Sequence, residues 1–344
     1  MKRAFVILII SFSLPFGVGW GEALFAQDIH FSQFNASPQN LNPSQTGLFD
    51  GDWRFVGNLR NQWSAVPVPY NTFSLSTDTR FKSIFNGDVP AIGLIANTDK
   101  SGDSRLSTTN FYISLSYIKK LDKDSTHFLS IGVQPGITNK SFNPNALTFD
   151  NQYDGDSYNP ALPSGENFTN AHINYFDIGG GITYLYRESH RFYVSFGLAA
   201  LHLTQPKQLF YAQTQDRLAR KITFNGIANL PLAEKFDIVP TFLYSHQGTY
   251  NETVGGMYGK YYLTPVDGMP TAFALGMLKR YKDAFIFAGY IEYRNFNVGV
   301  SYDLNSSYLS AATNYRGGFE ISVIYIFKKI IPFVAKKRVC PIYM

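Results

Sequence analysis

The 344-residue chain carries 30 Lys and Arg against 25 Asp and Glu, a formal net charge of +5, and only 16% of its residues are charged. Aromatic residues make up another 16%, with 23 Tyr and 30 Phe, and mean hydropathy is −0.12. That charge is too sparse for an ordinary water-facing surface, and the single cysteine, Cys340, excludes an internal disulfide and any multi-cysteine metal site.

The leader, residues 1–26, opens with Lys2 and Arg3. An apolar stretch from Phe5 to Val18, broken by Pro15, follows, and small residues lie around Ala23 and Ala26. This is the layout of a cleaved export signal. Cleavage after Ala26 leaves Gln27 first; Leu24 sits where a small residue is expected, so cleavage after Ala23 is the alternative. Beyond the leader no apolar run approaches the ~20 residues of a spanning helix. Residues 27–52 form an arm, periplasmic or folded back as a plug, in which Asn42-Pro43 and Gly47 are turn signals.

From residue 53 the chain repeatedly alternates with period two, the mark of strands with two unlike faces. Phe73, Leu75, Thr77, Thr79 and Phe81 oppose Ser74, Ser76, Asp78 and Arg80. Phe111, Ile113, Leu115 and Tyr117 oppose Asn110, Tyr112, Ser114 and Ser116. Near the end, Phe319, Ile321, Val323, Tyr325 and Phe327 share one face. Fourteen such segments are predicted: 53–62, 70–81, 90–98, 105–119, 126–137, 172–186, 190–203, 217–229, 234–247, 250–263, 271–281, 284–293, 295–304 and 316–328. An even number of long strands, few charges and many aromatics together predict an all-β fold, a transmembrane antiparallel barrel over residues 53–328.

The connections give a second test. If both chain ends face the periplasm, the long gaps at 138–171, 204–216 and 305–315 all fall on the outer side. The short ones, at 187–189, 230–233 and Arg294, fall on the periplasmic side. Short inner turns and long outer loops are the asymmetry of outer-membrane barrels. The remaining residues, 329–344, form a basic periplasmic tail. The leader holds one net positive charge, and Lys328, Lys329, Lys336, Lys337 and Arg338 hold five more, so the body between sits near −1. A basic tail on a neutral body excludes a nucleic-acid-binding face and suits contact with acidic partners.

Several stretches resemble the PorP/SprF family of type IX secretion and gliding proteins. They are Gln27-Asp-Ile-His-Phe-Ser-Gln-Phe34, Leu41-Asn-Pro-Ser-Gln-Thr-Gly47, Arg60-Asn-Gln-Trp63 and Pro69-Tyr-Asn-Thr-Phe-Ser74, then Ser301-Tyr-Asp-Leu-Asn305, Arg316-Gly-Gly-Phe-Glu-Ile-Ser322 and Cys340-Pro341. The final Tyr343-Met344 departs from the family's aromatic-terminated ending. The resemblance implies an outer-membrane component of a secretion or gliding apparatus, partnered by periplasmic secretion-machine subunits or by a large surface adhesin. Candidate partner contacts are Arg60, Asn61, Gln62 and Trp63 in the first hairpin and Lys336, Lys337 and Arg338 in the tail.

Chemistry is sparse. The six histidines form no HExxH or other ligand spacing, and Gly179-Gly-Gly181 lacks the lysine of a phosphate loop. Ser195 and His202, seven apart on one predicted strand, are expected on opposite faces. Asp150, Asp154, Asp156 and Glu166 of the third outer loop do not match a calcium loop. No catalytic residue, metal or cofactor is therefore assigned, and neither an enzyme nor a small-molecule substrate is expected. The expected function is protein contact supporting export or surface attachment of partner proteins in the cell outer membrane. A solute channel is the alternative, since a fourteen-stranded barrel has a wide lumen unless plugged.

Overall fold

In the computed structural model the described residues are 28–62, 70–81, 87–102, 104–166, 170–208, 210, 217–264, 271–307 and 314–329. They form a closed antiparallel barrel of fourteen strands. In chain order these are β1 (Trp53–Gln62), β2 (Tyr70–Arg80), β3 (Val89–Ser101), β4 (Leu106–Lys120), β5 (His127–Ser141), β6 (His172–Arg187) and β7 (Tyr193–Leu201). The second half comprises β8 (Lys221–Ala233), β9 (Phe236–Gln247), β10 (Tyr250–Tyr262), β11 (Thr271–Arg280), β12 (Ala284–Tyr293), β13 (Phe296–Asn305) and β14 (Arg316–Phe327). Each strand pairs with its sequence neighbours, and β1 closes on β14 from Trp53↔Phe327 to Gln62↔Gly318. Closure satisfies the backbone donors and acceptors of the wall within the protein, as a hydrocarbon surround requires.

The alternation sorts the wall into an apolar outside and a polar inside. In β2, Phe73 and Leu75 are exposed while Ser74, Ser76 and Asp78 are buried. The same holds around the barrel: Ile131, Phe196, Leu275, Phe287 and Val300 point out. Leu275 is 69% exposed at the middle of β11. Water would not tolerate a continuous apolar band of this kind, whereas lipid solvates it. At the end where the chain termini of the wall meet, Trp53, Phe55, Tyr325 and Phe296 stack on the outer surface. Trp and Tyr rings gather at that depth because one end suits lipid and the other water.

Two prolines interrupt the ladders without breaking the wall. Pairing of β5 with β4 skips Ile113 and Ser114 opposite Pro135, and pairing of β8 with β9 skips Ala228 and Asn229 opposite Pro240. Proline has no N–H to give on that side. On its other side each proline keeps register, Pro135 with Ile178 and Pro240 with Met257. A bulge at Gly317 shifts β14 against Asp303 and Leu304 of β13.

Several expected boundaries move: the third strand runs to Ser101, not 98, the fifth to Ser141, not 137, and the eighth starts at Lys221, not 217. The eighth strand runs to Ala233, not 229, so the expected turn at 230–233 is instead Glu234–Lys235. Pro231 and Ala233 still pair with Asp237 and Phe236, and Arg191 donates to Asp237 and to the carbonyls of Ala233 and Glu234, fixing the turn there. The seventh strand spans only Tyr193–Leu201, because His202 adopts φ 56°. That left-handed conformation ends a strand. It also turns the imidazole inward, so Ser195 and His202 are both buried rather than on opposite faces.

Candidate functional site

The site is the lumen, and its occupant is the chain's own N-terminal arm. The arm runs as three short helical turns, Phe34–Ala36, Pro38–Leu41 and Pro43–Gln45. Pro38 and Pro43 suit first-turn positions, where no N–H is required. Asn42 caps the third turn by accepting from the Ser44 N–H at 3.0 Å. A segment so rich in Asn, Pro and Ser is a poor strand former, and compact turns let it fit a closed space.

The arm's polar groups meet the inward residues of the wall in sequence. Near its start, the backbone N–H groups of Ser32 and Gln33 donate to the Glu320 carboxylate at 2.8 and 3.0 Å. Arg60 bridges Glu320 and Asp303, both at 3.1 Å, and Arg280 bridges Asp303 and Glu252, both at 3.0 Å. Both guanidinium groups also donate to the Ser32 hydroxyl. Further along, Asn40 meets Ser74 and Asn97, and Asn42 donates to Thr183 and to the Leu198 carbonyl. Ser44 shares a 2.6 Å hydrogen bond with Thr183, and Thr46 shares another with Ser114. Last, the Gly47 N–H donates to Asp78 at 2.7 Å, and Asp78 pairs with Arg54, which donates to the Gln45 carbonyl. Buried ion pairs of this kind cost desolvation, and losing one partner typically costs about 3–5 kcal/mol because the other charge is stranded. Here backbone N–H groups of the arm complete the coordination of those charges.

The opposite side of the arm is apolar. Phe34 and Leu41 pack with Val239, Leu243, Val254, Tyr258, Leu278 and Ile286, the inward residues of β9 to β12. The lumen is therefore a small core on one side and a hydrogen-bonded polar surface on the other.

Two wall glycines show how closely the arm is seated. A Cβ at Gly132 would lie 2.5 Å from the Pro43 carbonyl carbon and 2.5 Å from the Ser44 nitrogen. A Cβ at Gly181 would lie 2.0 Å from the Asn42 side-chain oxygen. Only a residue without Cβ allows this approach.

At the first described residue, Asp28 sits 3.3 Å from both Lys221 and His202. Burial opposes its ionisation, yet Lys221 and His202 together hold the carboxyl well below the usual carboxylate range. His30 lies beside Arg60, with its Nε2 3.5 Å from the guanidinium. At the other end of the arm, Asp50 faces Lys328 at 3.2 Å, His190 at 3.6 Å and Arg80 at 3.8 Å.

Of the residues singled out in sequence, Arg60 is buried and committed to the arm rather than presented outward. Asn61 hydrogen-bonds Asn71 at the rim, and Gln62 ends β1. Trp63, Lys336, Lys337 and Arg338 lie outside the described residues. The wall partners that sequence reasoning missed are Asp78, Glu252, Arg280, Asp303 and Glu320. Their signal was present: a charge inside an otherwise lipid-phased strand must face the lumen. What each one meets there is not written in a strand's period.

An apolar band outside, an even number of closed strands and a polar, filled lumen define a membrane β-barrel. The family profile of the type IX secretion system membrane protein PorP/SprF matches residues 23–325. The chain belongs to that family, and its place is the outer membrane. No curated protein matches the sequence. Among solved structures, a Pseudomonas aeruginosa FadL homologue aligns with TM-score 0.49 and 11% identity over 83% of this chain and 93% of its own. The CymD monoaromatic hydrocarbon channel aligns with TM-score 0.48 and 11% identity, covering 86% and 93%. BamA from Haemophilus ducreyi aligns with TM-score 0.43 and 6% identity, covering 80% and 70%.

Proposed function

We propose that this barrel works by protein contact within a type IX secretion or gliding apparatus, supporting export or surface attachment of partner proteins. In this reading residues 1–26 are a cleaved export signal. The wall termini at Trp53 and Phe327 face the periplasm, and the loops at 142–171 and 202–220 face outside. The long connections then lie on the outer side, as is usual for such barrels. The partners are periplasmic secretion-machine subunits, met by the inner turns and the basic tail, or a large surface adhesin met by the outer loops.

The observation that carries the reading is the occupied lumen. The arm reaches inward groups on β1 to β9, β11, β13 and β14. A wall bonded to its own chain around most of its circumference favours a scaffold over an open solute channel, which needs a clear polar path.

The test is a crosslinked pull-down of tagged protein from native outer membranes, with partners identified by mass spectrometry. Recovery of secretion-machine subunits or of one large surface protein is expected. Recovery of the barrel alone would reject protein contact as its work.

A further inference from the structure

We infer that the chain is threaded through its own barrel, so that removal of the leader leaves the new amino end at the cell-surface mouth, reachable from outside. The inference rests on the sidedness proposed above.

Position carries it first. Asp28 pairs with Lys221, the first residue of β8, and with His202, which follows the last residue of β7. Both belong to the mouth bearing the long loops. Strand β1 begins at Trp53 at the opposite mouth, where its ladder with β14 ends on Phe327. Between the two mouths the contacts descend in order: Ser32 and Gln33 on Glu320, then Asn42 and Ser44 on Thr183, then Gly47 on Asp78. The arm therefore crosses the lumen once, without doubling back.

The anchoring at the upper end is equally specific. Asp28 is a half-buried carboxylate facing a lysine and a histidine, and His202 is in turn held by Asp177 of β6. Sliding the arm toward the periplasm would strand Lys221 and Asp28 in the lumen without their partners, a cost that fixes the register. The chain preceding Asp28 starts from the surface mouth. With the leader removed, as proposed above, the amino end emerges among the loops that face an exported partner.

The test uses single cysteines in the full-length protein carrying Cys340→Ser, probed in intact cells with a membrane-impermeant maleimide. A cysteine inserted between Gln27 and Asp28, referred to as position 27, reports the amino end; Gln27→Cys itself would place a thiol directly after Leu24-Phe25-Ala26 and invite lipid modification. Asp156→Cys, exposed in the long loop, reports the outer mouth, and Asp124→Cys, exposed in the turn after β4, reports the inner one. The expected result is that positions 27 and 156 label in intact cells and position 124 labels only after lysis. Labelling of 156 but not 27 before lysis would overturn the threading while leaving the sidedness intact. Labelling of 124 but not 156 would overturn the sidedness, and position 27 would still report which mouth it shares. A second measurement covers a cysteine hidden by local packing: Thr46→Cys with Ser114→Cys, whose hydroxyls lie 2.6 Å apart, should form a disulfide on mild oxidation. Failure of that pair to crosslink in folded protein would place the arm outside the lumen and overturn the proposal.

Discussion

Gly132 concentrates the relation between wall and arm in one missing methyl group. Its neighbours there are backbone atoms of Pro43 and Ser44, which cannot rotate aside as a side chain can. Gly132→Ala removes no hydrogen-bonding group, so any effect is steric. Overpacking of this kind typically costs about 1–3 kcal/mol. The variant should unfold earlier in denaturant, and its arm should be cleaved faster by protease, with the wall intact by circular dichroism. An arm as protected as in the parent protein would mean that the seat is looser than its geometry. Arg60 makes the complementary point. Its place in the first hairpin made it a candidate partner contact, but a guanidinium in the inward phase of a lipid-facing strand has to be met by carboxylates, and Asp303 and Glu320 meet it.

At the scale of elements, most of the wall was legible. Phe73 against Ser74 and Phe319 against Glu320 give the phase of a strand with no further information, because lipid and lumen demand opposite chemistry of adjacent residues. The limits of β7 and β8 were not legible. His202 leaves the strand through a left-handed backbone angle, and Leu232 continues β8 as an exposed apolar residue where a turn had been expected. Nor was the course of the arm. Its Asn, Ser and Gln residues name no partner; only closure of the barrel brings Thr183, Ser114 and Asp78 to face them. The arm as an element also carries its own prediction. The intact barrel should be electrically silent in planar bilayers, and deletion of residues 28–47 should give it a steady, large conductance. Silence of the shortened barrel would mean that something other than the arm closes the lumen.

The whole molecule is held between two solvents of unlike kind, and its outer face is the test of that. Leu275 lies midway along β11, pointing outward at 69% exposure. A charged residue there costs most at mid-bilayer, about 2–4 kcal/mol for arginine. Leu275→Arg should accordingly lower stability by that amount in lipid vesicles, measured by urea titration with refolding from both directions. An unchanged midpoint would place β11 outside the hydrocarbon. The threaded arm has one more consequence, and it concerns the order of events in biogenesis. Strand β1 is the direct continuation of the arm and is zipped to β14 along its full length. A tail entering a ring already shut would travel from one opening to the other past Lys221, Arg280 and Glu320. A ring that closes around the tail avoids that passage, with the seam between first and last strands sealing a passenger already aboard. Maturation of this protein is then less like filling a vessel than like casting one around its contents, and once the seam is shut the contents leave only lengthwise.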